Sequence, residues 1–215
     1  ESSVPVAVHL DHSPSFENCA RGIHLGCTSV MFDGSALPYE ENVAITKKVV
    51  EMARAAGVTV EAEIGHVSGH EGNMLDGNIA DESAFTTVEE AMQFYQDTQV
   101  DCLAVAIGTV HGVYKGEPHL DLDRLQAIRD ELPIPVVIHG GSGLKEKDYK
   151  ELVAHGANKI NFFTTMTLAA SEAVRKLLAE HDKLTMTDII EVGQKAAEDI
   201  VSEHIEIFGT KPLTK

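Results

Sequence analysis

Six short apolar runs, each followed by a helix-length amphipathic stretch, constrain this chain more than any other feature. The runs are Val4–Leu10, Ser29–Phe32, Val58–Ile64, Cys102–Ile107, Pro135–Ile138 and Lys159–Phe163. They are short and mostly rich in Val and Ile, which suits buried strands of a parallel sheet. Between them, Ser15–Leu25 carries Phe16, Cys19, Ala20 and Ile23 at helical spacing. Tyr39–Ala56 ends at Gly57, a good helix stop, and Thr87–Thr98 opens on Thr87-Val-Glu-Glu90, a capping box. Leu122–Leu132, Lys145–His155 and Thr165–His181 follow, and Thr185–Phe208 reads as one or two helices covering the barrel or a partner subunit.

Strict strand–helix alternation predicts an α/β fold with right-handed crossovers. The choice lies between a doubly wound open sheet and a TIM (β/α)8 barrel. No G-x-G-x-x-G follows the first run, and no Walker A sequence is present. Polar residues stand at the C-terminal ends of nearly every run: Asp11 and His12, Asp33, Glu63, His111, His139, Asn161. Convergence from many strand ends is how a barrel builds a site, whereas an open sheet gathers its groups near one switch point. The expectation is therefore a single barrel domain over residues 1–215. Six runs are two short of eight, so the first two strand–helix units are expected to be absent from this sequence. A six-stranded open domain is the competing reading.

Composition narrows the partners. Lys plus Arg number 17 against 34 Asp plus Glu, a net charge of -17 that would repel a nucleic-acid backbone. No run approaches the roughly 20 apolar residues of a membrane helix. Cys19, Cys27 and Cys102 are an odd set without metal-type spacing, which points to reduced thiols and a cytoplasmic protein.

His12, His111 and His139 each end or follow an apolar run. Three imidazoles at three strand tips would face one bowl, and three protein ligands with an open position is the pattern of a catalytic zinc site. His9 lacks this placement. Asp11 closes an apolar strand, where a lone charge is costly, so it needs a partner. Asp33 and Glu63 occupy the matching ends of the next two runs, as site groups or rim salt bridges. His139-Gly-Gly-Ser-Gly143 joins a strand to a helix, so its exposed N–H groups suit a phosphate, with Lys115 as a candidate counter-charge. Gly65–Phe85 is a long aperiodic segment, the kind that is functional or mobile.

Taken together, His-Leu-Asp-His at 9–12, Glu-Ala-Glu-Ile-Gly at 61–65, Ile-Gly-Thr-Val-His-Gly at 107–112, Val-Tyr-Lys-Gly at 113–116, His-Gly-Gly-Ser-Gly at 139–143 and Lys-Ile-Asn at 159–161 resemble the class II, metal-dependent fructose/tagatose-bisphosphate aldolases. The resemblance implies a (β/α)8 barrel, a homodimer or homotetramer, and reversible cleavage of a ketose bisphosphate to dihydroxyacetone phosphate and an aldehyde. It makes His12, His111 and His139 the ligands of Zn2+, and Asp33 and Glu63 positions for a second metal or monovalent cation. Asp11 matches the acid that protonates the aldehyde oxygen, and Glu71 a loop glutamate that moves the dihydroxyacetone phosphate proton. Gly112, Lys115, Gly140, Ser142, Asn161 and Thr164 match phosphate and substrate contacts. Phe163 departs from the family, some members of which have an aspartate there.

Such cleavage leaves a carbanion beside a carbonyl, and a bound cation is the electrophile that spreads its charge. No Schiff-base lysine is required, and Lys159 sits at the start of its run. A family aldolase for another ketose 1-phosphate, a zinc-dependent barrel hydrolase and a non-catalytic metal-bound barrel are the rival readings. The hydrolase wants an H-x-H on an early strand, and His9-Leu-Asp-His12 has the wrong spacing.

Overall fold

The computed structural model describes residues 4–69 and 79–211. Its strands are β1 (His9–Ser13), β2 (Ser29–Phe32), β3 (Thr59–Ile64), β4 (Cys102–Val105), β5 (Val136–Ile138) and β6 (Ala157–Ile160). Its helices are α1 (Phe16–His24), α2 (Tyr39–Ala56), α3 (Val88–Thr98), α4 (Leu122–Glu131), α5 (Glu146–Ala154), α6 (Thr164–Glu180) and α7 (Met186–Ile207), with a short 3-10 turn at Glu82–Ala84.

The sheet runs β1-β2-β3-β4-β5-β6, with every neighbouring pair parallel. Strictly sequential order has no switch point, which removes the doubly wound alternative. Five strand gaps would hold the edges of a flat sheet about 24 Å apart. Instead the Asn161 amide, one residue past β6, donates to both Asp11 carboxylate oxygens on β1, at 3.2 and 3.1 Å. The sheet is therefore curled into a parallel half-barrel, a partial TIM barrel, with its concave face closing on itself.

Local chemistry sets the elements. The expected capping box is formed at α3: Thr87 Oγ1 accepts from the Glu90 amide, and the Glu90 carboxylate accepts from the Thr87 amide. Gly57 ends α2 at φ 69°, a left-handed turn that only glycine enters freely. Along each strand, alternate residues face the helices. Val30, Phe32, Val60, Ala62, Leu103, Val105, Val136 and Ile138 are buried there against Ala53, Phe94, Leu125, Ile128 and Leu152.

The two outer strands differ most from expectation, and β4 stops at Val105 rather than Ile107, which leaves His111 in the loop beyond it. The first strand begins at His9, not Val4, because its ladder with β2 starts at His9 opposite Ser29. Upstream, Val4, Val6 and Val8 are exposed. The last strand covers residues 157–160 rather than 159–163, since the chain leaves the ladder after Ile160 to start the loop into α6. The C-terminal stretch is one helix, opened by a second capping box at Thr185 and Asp188. It packs mainly along α6, and His204 near its end lies over the Phe162 ring and meets Tyr149 edge-on (ring centroids 4.0 and 5.3 Å apart).

Candidate active site

Strand alternation alone would send the consecutive residues Asp11 and His12 to opposite faces. A bulge resolves this. Leu10 pairs with Val30 and Ser13 with Phe32, so three steps on β1 face two on β2. His12 takes up the extra residue at φ 43°, a left-handed backbone rarely adopted by non-glycine residues. Both side chains thereby reach the concave face.

The three predicted histidines meet there. Their ligating nitrogens lie within 4.8 Å of one another, and His12 Nε2 is 2.7 Å from His139 Nδ1. His111 and His139 are buried. The trio lies at a bowl of about 470 Å3, lined in part by Asp11, His12, Asp33, Glu63 and His111. That volume suits a small metabolite.

Carboxylates surround the imidazoles. Asp33 Oδ2 meets His12 Nδ1 at 2.7 Å, and Asp33 Oδ1 accepts from the Ser35 amide (3.1 Å) and hydroxyl (2.7 Å). Asp33 thus orients His12 through the ring nitrogen that faces away from the trio. Burial raises the Asp33 pKa, but the His12 and Ser35 hydrogen bonds outweigh it and hold the carboxyl well below the usual range. Burial likewise works against a charged His12. The Asp33 hydrogen bond and the charges of Asp11, Glu63 and Asp33 prevail, carrying its pKa up to about 9. His111 is driven down to about 3 by burial and by the neighbouring His12 and His139.

Glu63 is buried, and its Oε2 makes no hydrogen bond among the described residues. Burial, helped by Asp33, lifts its pKa to about 7 against the pull of His139 and His12. Asp11 has the opposite balance. Burial disfavours its charge, yet His9, His139, His12 and Lys159 together hold it ionised.

Three converging imidazoles and an orphaned buried carboxylate oxygen fit a divalent cation of zinc type. His12, Asp33 and Glu63 also place ligand atoms within 4.8 Å of one another.

The candidate phosphate contacts lie around the neighbouring loops. Gly140 (φ 68°) passes so close to Val110 that a Cβ would come within 2.4 Å of its carbonyl oxygen, so the backbone there requires glycine. Gly112 is also left-handed, at φ 81°. Ser142 Oγ accepts from the Phe163 amide at 3.1 Å, tying the glycine loop to the start of α6, where Thr164 is buried. Lys115 is exposed beside a separate depression lined by Tyr114 and Glu117, away from the bowl. Glu71 lies outside the described residues.

Three further residues, His9, Glu61 and Lys159, belong to the site. His9, which does not end an apolar run, joins Asp11 and Glu61 in a cluster whose ligand atoms lie within 4.8 Å. Glu61 is buried and meets His139 Nε2 at 2.8 Å. Lys159 lies inside β6 rather than at its start, and donates to Glu61 (2.9 Å) and to Asn161 (2.7 Å). The signal was available: each stands two residues before a recognised site residue, so it shares that residue's face.

A family model described as fructose-bisphosphate aldolase class-II matches residues 1–212. A fructose-bisphosphate aldolase of Staphylococcus aureus is 42% identical over 215 residues, covering 99% of this chain and 73% of that protein. One of Staphylococcus epidermidis is 41% identical over 214 residues, with 99% and 73% covered. Among solved structures, the YdjI aldolase from Escherichia coli K12 superimposes with a TM-score of 0.84 at 33% identity, covering 98% of this chain and 72% of that one. The chain belongs to the class-II fructose-bisphosphate aldolase family, a family of carbon–carbon lyases.

Proposed function

We propose that this chain is a metal-dependent ketose-bisphosphate aldolase, cleaving fructose 1,6-bisphosphate or tagatose 1,6-bisphosphate to dihydroxyacetone phosphate and glyceraldehyde 3-phosphate. The observation that carries the reading is the convergence of His12 on β1, His111 in the loop after β4 and His139 just past β5, beside the ionised Asp11. These histidines would hold Zn2+ or a similar ion, which when bound supplies a Lewis acid that draws electron density from the substrate carbonyl.

The chain's own groups do the rest. Asp11, fixed by the Asn161 amide, takes the C4 hydroxyl proton during cleavage and returns it to the aldehyde oxygen during condensation. Glu71 is assigned the proton exchange on the dihydroxyacetone phosphate carbon. Asp33 orients His12, and Glu63, with Asp33, would hold a second metal or monovalent cation. The Gly112 turn, the Gly140–Ser142 loop, Asn161 and Thr164 would bind the phosphates, through backbone N–H groups, polar side chains and the N-terminus of α6, whereas Lys115, beside its separate depression, is left out of this contact set.

The domain is read as one aldolase barrel domain, working in the cytoplasm. A homodimer or homotetramer is in keeping with the exposed Leu178, Met186, Ile190 and Ile205 on α6 and α7. The test follows dihydroxyacetone phosphate release from each bisphosphate, with zinc and after full chelation by EDTA. Cleavage that stops on metal removal and returns with zinc supports the assignment, and cleavage that survives removal overturns it.

A further inference from the structure

Beneath the three histidines lies a second layer of charge that the proposed chemistry leaves without a task. Glu61 is 1% exposed on β3, one inward-facing position below Glu63. One of its oxygens, Oε1, meets His139 Nε2 at 2.8 Å. The other, Oε2, accepts from the Lys159 ammonium at 2.9 Å. The Cys102 thiol also approaches Oε2, at 3.7 Å.

An imidazole has two nitrogens, and the hydrogen bond made by one decides what the other can do. A carboxylate at Nε2 claims the ring proton, which leaves the lone pair on Nδ1. In His139 that nitrogen lies 2.7 Å from His12 Nε2 and 3.8 Å from Glu63 Oε2, both residues of the bowl's lining. We propose that Glu61 is a positioning residue for the metal centre: it fixes the tautomer and ring plane of His139 so that Nδ1 is the ligating atom. Lys159 balances the buried charge of Glu61 and holds the Asn161 side-chain oxygen at 2.7 Å, turning that amide's NH2 toward Asp11. One ion pair, buried at Glu61 and half-buried at Lys159, therefore supports both the ligand and the proton-transfer side of the bowl.

This inference rests on the metal-dependent reading above. It is tested by zinc affinity, measured on the full chain by competition with a chromogenic chelator, and by the visible spectrum of bound Co2+. Glu61→Ala is expected to weaken zinc binding 10–100-fold, the usual cost of removing such an outer partner, and to alter the Co2+ bands. Glu61→Gln keeps an acceptor for the Nε2–H and should stay within a few-fold of wild type. The double variant Glu61→Met/Lys159→Met removes both charges together and guards against misfolding of Glu61→Ala. It should still bind zinc weakly. Wild-type affinity and spectrum in the double variant, or in a folded Glu61→Ala, would reduce the pair to a structural ion bridge and overturn the inference. A wild-type chain that holds no zinc would overturn this inference and the metal-dependent reading together.

Discussion

The two faces of the one sheet differ more than any two elements do. Toward the helices, β2 to β5 present Val30, Phe32, Val60, Ala62, Leu103, Val105, Val136 and Ile138, all buried and apolar. Toward the axis, the same strands and their neighbours present His9, Asp11, Glu61, Glu63, His139, Lys159 and Asn161, joined by hydrogen bonds and ion pairs. Apolar burial on the outer face stabilises the fold without regard to direction. The inner face carries charges whose worth depends on partners and geometry, and removing one partner leaves a costly orphan. On β1, β3 and β6 stability and chemistry are thus separated by one residue along the strand, whereas β2, β4 and β5 place the apolar Met31, Ala104 and Val137 on the inner face.

The largest effect expected is on the inner face. His111→Ala should lose metal and turnover together, whereas Asp11→Ala should keep its metal and lose about 10^2- to 10^4-fold in kcat, the range for a general acid–base group. Metal content by emission spectroscopy beside steady-state kinetics separates the two. A wild-type rate in the Asp11 variant refutes its proton-transfer role.

On the outer face, Phe32→Ala should cost about 3–5 kcal/mol of stability, as truncating a buried phenyl ring does. Zinc affinity of the molecules that remain folded should change little. Denaturant unfolding and chelator competition read the two quantities separately, and a large affinity loss with unchanged stability would erase the division between the faces.

The smallest effect sharpens the electrostatics of the inner face. In the metal-free protein the His12 pKa stands at about 9, above its ordinary value of 6.5. The stability conferred by its charged form is complete below pH 6.5 and lost as pH rises through 9. A cation must displace that proton, so zinc affinity should rise about tenfold per pH unit between 7 and 9 and then level off. Proton release measured by calorimetry in two buffers checks this, and a flat affinity profile counts against it.

Much of the architecture was legible because it is local. The short Val/Ile-rich runs, the Thr87–Glu90 capping box and the stop at Gly57 all act within a few residues, and α2 kept its expected bounds. Where the first strand began was not legible. Val4–Val8 has strand chemistry, but pairing requires a neighbour, and β2 starts only at Ser29.

By itself, the sequence determined the strand–helix alternation and marked His12, His139 and Asp11 at strand ends and His111 in the loop that follows an apolar run, because side-chain periodicity is a property of the chain. Only the tertiary structure decided that Asp11 and His12 share a face, through a bulge that depends on the β2 register. It alone joined Glu61 on β3 to His139 after β5 and to Lys159 on β6, residues 78 and 98 positions apart. The physical reason is curvature. Parallel strands dictate which way each side chain points, and the curl of the whole sheet dictates which of those side chains meet.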